Sequence, residues 1–304
     1  MTGKTWVLVG SDSGVSNLLD MARSLGADVI AAVAGSKDLA DTMASTGVSK
    51  VYWLDGGGAP VEAYALQVAA TLAETEGQPG LVVAGSSPQD RVLLGAVAAR
   101  LQCPLLSGAH TLSADGEALL VQRSVFGGIG EQTDRIVGPL ALMLEGGAPV
   151  EASAPAAPVE RVEVAPAGLT VTETRAAEYE AVDVGAATRV VTVGRGVKAK
   201  EDLGLVESLA AALGAQVACS RPLAEGLDWY PKDRYVGVSG LKLSPNLYVA
   251  VGVSGQLQHM VGARESEVIV AINSDKNAPV FAECDYGIVG DLYAVVPALT
   301  KALS

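Results

Sequence analysis

Residues 235–291 read YVGVSGLKLSPNLYVAVGVSGQLQHMVGARESEVIVAINSDKNAPVFAECDYGIVGD, and their punctuation decides the class of fold. The tetrad Gly237-Val238-Ser239-Gly240 returns as Gly252-Val253-Ser254-Gly255, so two small-residue loops flank the apolar run 247–251. A run of β-formers that stops at Gly-x-Ser-Gly and continues as Gln256-Leu257-Gln258-His259-Met260 predicts a strand feeding a helix N-terminus. Free N–H groups and the helix dipole at such a point favour an anion. Glycine and serine in the loops let a ligand touch backbone.

The same grammar extends on both sides. Residues 188–193 form a β-branched run ending in Gly194-Arg195-Gly196, a helical stretch follows at 201–213 closed by Gly214, and 216–219 is a second strand ending at Ser220-Arg221-Pro222. This βαβ unit sets two arginines at the carboxyl ends of adjacent parallel strands, the edge at which open α/β sheets bind ligands. Residues 247–251 and 267–272 supply further strands, the second ending at Asn273, and a terminal helix at 291–303 contains Pro297. A small flavodoxin-like or Rossmann-like domain is expected, its loops converging on one pocket.

Strand and helix also alternate in the first half. Strands are expected at 6–9, 28–33, 51–54 and 81–84, and helices through Leu18, Met21, Ala22 and Leu25 and at 36–45, 61–75 and 90–101, the third with an apolar stripe through Tyr64, Leu66, Val68 and Leu72. The turns at 10–14 and 85–88 invite a nucleotide reading, but neither holds a complete Gly-x-Gly-x-x-Gly or Walker-type loop, and a plain strand-to-helix turn is the reading adopted. From residue 107 the runs shorten. Residues 119–124 and 136–144 are expected to add antiparallel strands to one edge of the sheet, with Asp115-Gly116 as a hairpin turn and 159–164 as an edge strand. His110 reads as a satisfied structural histidine and Arg123 as an ordinary solvated or ion-paired arginine. Residues 148–168, rich in Ala, Pro, Val and Glu, read as extended structure or linker, and the boundary is placed near Ala177, giving domains 1–177 and 178–304.

Bulk composition agrees. A chain of 304 residues that is 49% hydrophobic and 18% charged suits two α/β domains with strands buried on both faces. A net charge of −13 without a Lys/Arg cluster argues against nucleic acid. Cys103, Cys219 and Cys284 are too scattered for a disulfide framework or a Cys-x-x-Cys site, and two histidines argue against a His-based metal site. The start MTGKTWVLVG resembles neither a signal nor a transit peptide, and no apolar run approaches the roughly 18 residues of a membrane span. A cytoplasmic protein without direct membrane insertion is expected.

The pocket's inventory is two arginines, one histidine, several Ser, Gln and Asn, and many glycines. It lacks a paired acid and base, and neither Ser239 nor Ser254 sits in a Gly-x-Ser-x-Gly elbow, so hydrolase chemistry is disfavoured. A polyanionic, aromatic, hydrogen-bonding ligand suits it better. Here the wording GVSGQLQHMVG, VAINSDKNAPVF and DYGIVGD resembles the FAD-binding domain of the electron-transfer flavoprotein α subunits, most closely the Fix-type ones linked to carnitine metabolism and nitrogen fixation. The resemblance is strong from about residue 190 to the C-terminus and holds only in pattern before that. It implies a first domain without a cofactor of its own and a second that binds FAD.

By that likeness, Arg195, Ser220 and Arg221 contact FAD, and Val236, Gly237, Val238 and Ser239 form a loop by the isoalloxazine. Ser254, Gly255, Gln256, Leu257, Gln258 and His259 follow the ribityl chain and phosphates, with the pyrophosphate on the helix beginning near Gly255. Asn273, Asp291 and Leu292 reach the adenosine. A one-electron reduced flavin gathers negative charge near N1 and O2, where Arg221 and His259 are expected to act, and Ser239 is expected to donate to N5. Val238-Ser239 departs from the Gln-Thr of most mitochondrial-type members, which bears on the flavin potential. The likeness further implies a β subunit as heterodimer partner, carrying AMP or a second FAD, and exchange with flavoprotein dehydrogenases and a quinone oxidoreductase or Fix-type partners. Two alternatives stay open: an electron-bifurcating complex that oxidises NADH, and a flavin-free adenine-nucleotide module.

Overall fold

The computed structural model describes residues 4–10, 15–75, 79–144, 152–173, 184–185 and 187–303. The chain divides into two compact units, Met1–Arg175 and Ala176–Ser304.

The first unit runs β1 (Thr5–Val9), α1 (Ser16–Arg23), β2 (Val29–Ala34), α2 (Lys37–Ala44), β3 (Lys50–Asp55), α3 (Ala65–Thr75), β4 (Leu81–Ala84), α4 (Pro88–Leu101), β5 (Leu105–Ser107), β6 (Ala109–Asp115), β7 (Ala118–Val125), β8 (Gly130–Val137), β9 (Leu140–Met143) and β10 (Val159–Glu163). Its seven-stranded sheet, order β10-β3-β2-β1-β4-β9-β5, is parallel at every pairing. Successive residues of β1 enter opposite cores, Trp6 and Leu8 on one face and Val7 and Val9 on the other. That two-sided burial is why the strand is an unbroken apolar run.

The turns at both candidate nucleotide loops have structural work. Ser87 caps α4 by accepting from the Asp90 amide at 3.1 Å, and the buried Asp90 carboxylate accepts from the Gly10 amide at 2.7 Å. Residues 11–14 of the first loop lie outside the described residues. His110 Nε2 is hydrogen-bonded to Glu131 at 2.6 Å and Arg123 is ion-paired with Asp134 at 2.6 Å, the plain roles expected of them.

Three expectations are corrected. The antiparallel strands β6, β7 and β8 do not extend the main sheet but form a three-stranded sheet of their own, turning at Gly116. The run 136–144 is two strands, because Gly138 at φ +101° breaks it, and its second part, β9, lies inside the parallel sheet. In the expected helix 61–75, a 3₁₀ turn over Val61–Ala63 precedes α3, and Leu66, two residues from Tyr64 and Val68 and so on the opposite side of the helix, is 74% exposed while Tyr64, Ala65, Val68 and Leu72 are buried.

The second unit runs β11 (Arg189–Val193), α5 (Leu203–Leu213), β12 (Gln216–Ser220), α6 (Arg221–Ala224), β13 (Tyr235–Val236), β14 (Leu247–Val251), α7 (Leu257–Met260), β15 (Val268–Asn273), β16 (Tyr286–Val289) and α8 (Leu292–Leu303). Its six strands are all parallel, in the order β13-β12-β11-β14-β15-β16. Counted from the first, this is 3-2-1-4-5-6, the Rossmann order of the two expected. One face of the sheet is covered by α5 and α8 through Val206, Leu209, Leu292 and Val296. The other buries Tyr248, Ala250, Met260 and Val280 under short turns.

Candidate cofactor site

Parallel pairing puts every strand's carboxyl end on one edge. Val193 stands beside Cys219 and Val251, Ser220 beside Val236, Val251 beside Ile272, and Ile272 beside Ile288. The proposed residues therefore share that edge: Arg195 after β11, Ser220 and Arg221 at the end of β12, and Val236, Gly237, Val238 and Ser239 at the end of β13. Ser254 to His259 follow β14, Asn273 ends β15, and Asp291 and Leu292 open α8.

The order of strands reverses between β11 and β14, and the loops meeting there are glycine against glycine. A Cβ at Gly194 would lie 2.4 Å from the Gly252 carbonyl oxygen, and one at Gly196 would lie 2.6 Å from the Gly252 Cα. Only two bare backbones pack that closely, and the Gly196 amide donates to the Gly252 carbonyl at 3.0 Å. Beside this crossing a cavity of about 310 Å³ is lined by Gly196, Lys198, Gly252, Asn273, Asp291 and Tyr293, among others. Asn273 is fixed by donating through Nδ2 to the Val253 carbonyl at 2.8 Å, and Asp291 caps α8 by accepting from the Tyr293 amide at 3.0 Å. Tyr293 in turn accepts from the Lys198 amide at 2.8 Å and donates to Asp202 at 2.6 Å.

After β14 the backbone offers donors. Among the described residues the amides of Ser254, Gly255, Gln256, Leu257 and Gln258 have no acceptor in the chain. The turn itself is tight: Gly255 has φ +75°, and a Cβ there would lie 2.4 Å from the Val280 backbone. The helix expected from Gly255 is a single turn, Leu257–Met260, so its dipole is small and the loose amides themselves are what suits this turn to an anion. A row of unsatisfied N–H groups fits a pyrophosphate, and the cavity at Asn273 and Asp291 is of a size to hold a nucleoside.

The loop after β13 is stitched to this turn by the Val238 amide, which donates to the Gln258 carbonyl at 2.8 Å. Ser239 is exposed, its carbonyl held by the Tyr235 hydroxyl. His259 is half-buried, with Nε2 2.8 Å from the hydroxyl of fully buried Tyr248. Burial pushes its pKa down to about 4, and the Val236 carbonyl, which favours the protonated ring, offsets only part of this. Burial thus favours the neutral ring in the free chain, so of a cation and an N–H donor His259 offers the latter. Arg221 is exposed and paired with Glu225 at 2.6 Å, one helical turn on; Arg195 is exposed. Among the described residues no hydrogen bond or ion pair joins either arginine to the other proposed side chains.

The structure adds Lys198, Ser274 and Tyr293 to the cavity wall. Each lies within two residues of a residue already singled out, and only that adjacency could have pointed to them. In the first unit a cleft is lined by Ser36, Lys37, Trp53, Asp55, Glu62 and Tyr64, among others; there Asp55 accepts from Arg161 and the Gly57 amide, and Lys37 pairs with Asp41. The three cysteines are free thiols, and burial pushes that of Cys219 up to about 12. Among the described residues no cluster of metal-binding side chains occurs, and no helix is long and apolar enough to cross a membrane.

A Rossmann-ordered sheet whose switch point opens onto bare glycine, a row of free amides and a nucleoside-sized cavity defines a dinucleotide-binding α/β protein. Comparison with known proteins narrows the class. Residues 183–264 match the electron transfer flavoprotein FAD-binding domain, and residues 13–167 match the electron transfer flavoprotein domain. The chain is 39% identical over 309 residues to Protein FixB of Escherichia coli O157:H7 and likewise to Protein FixB of Shigella flexneri, in each case across 99% of this chain and 98% of the relative. It belongs to the electron transfer flavoprotein α-subunit family, and its cofactor is FAD. Among solved structures, benzoylformate decarboxylase from Polynucleobacter necessarius is 14% identical over 98% of this chain and 58% of its own, with a TM-score of 0.26, too low to carry an argument.

Proposed function

We propose that this α subunit carries electrons one at a time between flavoprotein dehydrogenases and a quinone-linked or reductive partner, and performs no substrate chemistry of its own. FAD supplies the one-electron chemistry; the chain binds and orients it. The free amides at 254–258 take the pyrophosphate, and Asn273, Asp291 and Leu292 take the adenosine. The loop of Val236, Gly237, Val238 and Ser239 borders the isoalloxazine, with Arg221 and His259 nearby. Arg195 and Ser220 complete the rim. The observation that carries this reading is the meeting of all six strand ends on one edge that offers hydrogen-bond donors but no paired acid and base.

The β subunit that the family implies would close over the flavin and bring AMP or a second FAD. Co-expression with the cognate β subunit tests the proposal. A yellow heterodimer with one FAD and one AMP, silent toward NADH, is expected. Two FADs per heterodimer with reduction by NADH would replace the simple carrier with an electron-bifurcating complex, and a colourless, folded heterodimer would refute the flavin reading.

A further inference from the structure

The face of the second unit's sheet that is roofed by short turns buries Tyr248, which is 0% exposed. A buried phenol needs an acceptor for its proton. Its pKa is raised well above the ordinary value, chiefly by burial, so the proton stays on the oxygen. His259 Nε2 lies 2.8 Å away. The neighbouring buried hydroxyl, Thr192 Oγ1, makes no hydrogen bond among the described residues and so does not take the Tyr248 proton. Nε2 is left as the acceptor. An imidazole that accepts at Nε2 carries its proton on Nδ1. The loop that opens at Val236 packs against this histidine, since a Cβ on Gly237 would lie 3.6 Å from the His259 Cα.

We infer that Tyr248 is a positioning residue: its buried O–H donates to His259 Nε2, keeps the neutral ring's proton on Nδ1, and aims the single imidazole N–H at the loop of Val236, Gly237, Val238 and Ser239. The inference rests on the proposed function only in the claim that this loop borders the flavin. An unanchored imidazole would rotate and prefer its proton on Nε2, so His259 would offer the loop a lone pair in place of a donor. Tyr248 thereby sets what His259 presents to the bound cofactor without touching the cofactor itself.

The full chain labelled with ¹⁵N-histidine decides the matter. There are two histidines, and a His110→Gln variant assigns the resonances. Near neutral pH, His259 is expected to show a protonated Nδ1 and an unprotonated, hydrogen-bonded Nε2; a protonated Nε2 would overturn the inference. In Tyr248→Phe, which keeps the ring volume, the proton should move toward Nε2 and the imidazole should titrate at higher pH; an unchanged tautomer counts against it. Should that variant fail to fold, the wild-type spectrum alone is decisive. In the FAD-loaded heterodimer, the flavin potential should shift in Tyr248→Phe and in His259→Gln, with the double variant shifting no further than His259→Gln alone. Additive shifts would show that Tyr248 does not act through His259. The expected tautomer with no potential shift in any variant would remove the loop from the flavin's border and leave the hydrogen bond standing.

Discussion

A methyl group at position 196 would sit 2.6 Å from the Cα of Gly252, inside any tolerable contact, and backbone can yield there only by separating β11 from β14 at the switch point. Gly196→Ala is therefore expected to lower the unfolding free energy by about 2–4 kcal/mol in urea titration and to weaken FAD retention together with it. His259 makes a pH prediction. Its folded pKa, about 4, lies below the unfolded value of 6.5, so the unfolded chain binds more protons between the two. Stability from this group is full above about pH 6.5 and is lost as pH falls toward 4, by up to about 3 kcal/mol at 1.36 kcal/mol per unit. Urea midpoints at neutral and acid pH should therefore differ less in His259→Gln than in wild type. Arg221 is held by Glu225 in an exposed, solvent-screened pair that is readily released to an anion. Arg221→Ala is expected to reduce the yield of the one-electron reduced, anionic flavin in stepwise reduction, and an undiminished yield would refute its charge-stabilising role. Ser239→Ala should change the potential by the loss of one hydrogen bond, on the order of 1 kcal/mol.

At the scale of elements, Asp291 joins a structural and a proposed binding role. It opens α8 and caps it through the Tyr293 amide, the plain role that an acid before a helix suggests, and it lines the cavity as well. Asp291→Ala should cost about 1 kcal/mol in thermal unfolding, with Asp291→Asn recovering most of it, because both Asp and Asn cap helices well. If the adenosine lies there, both variants should also weaken FAD binding beyond what lost stability explains. Buried parallel strands were legible from sequence because both faces demand apolar residues. Thus the expected 247–251 matches β14, and the expected 188–193 lies within one residue of β11. Helix phase was less legible. Leu66 lies two residues from Tyr64 and Val68, off their helical face, and is exposed, and the helix after Gly255 stopped within one turn. Partner choice among strands was not legible: residues 119–124 carry no mark that distinguishes a sheet edge from a separate antiparallel sheet.

For the whole molecule, two compact units with separate cores should unfold with some independence. Calorimetry of the heterodimer with and without excess FAD is expected to show a transition that rises with FAD concentration, by roughly 2.7 kcal/mol of stabilisation at a hundred times the dissociation constant, and another that does not. A single transition shifted as one would argue that the units are coupled. Sequence by itself determined the α/β class, the two-part organisation and the edge on which every proposed residue lies, because alternating strands and helices can satisfy their backbones and bury their apolar faces only as parallel layers. It also carried the family likeness, through contiguous wording around Gly252 and Asn273. Tertiary structure alone decided the strand order, the glycine-on-glycine crossing of Gly196 and Gly252, the neutrality of His259, and its hydrogen bond to Tyr248. Those depend on which distant segments share a surface and what that surface excludes from water, and such through-space facts leave no mark in local spacing.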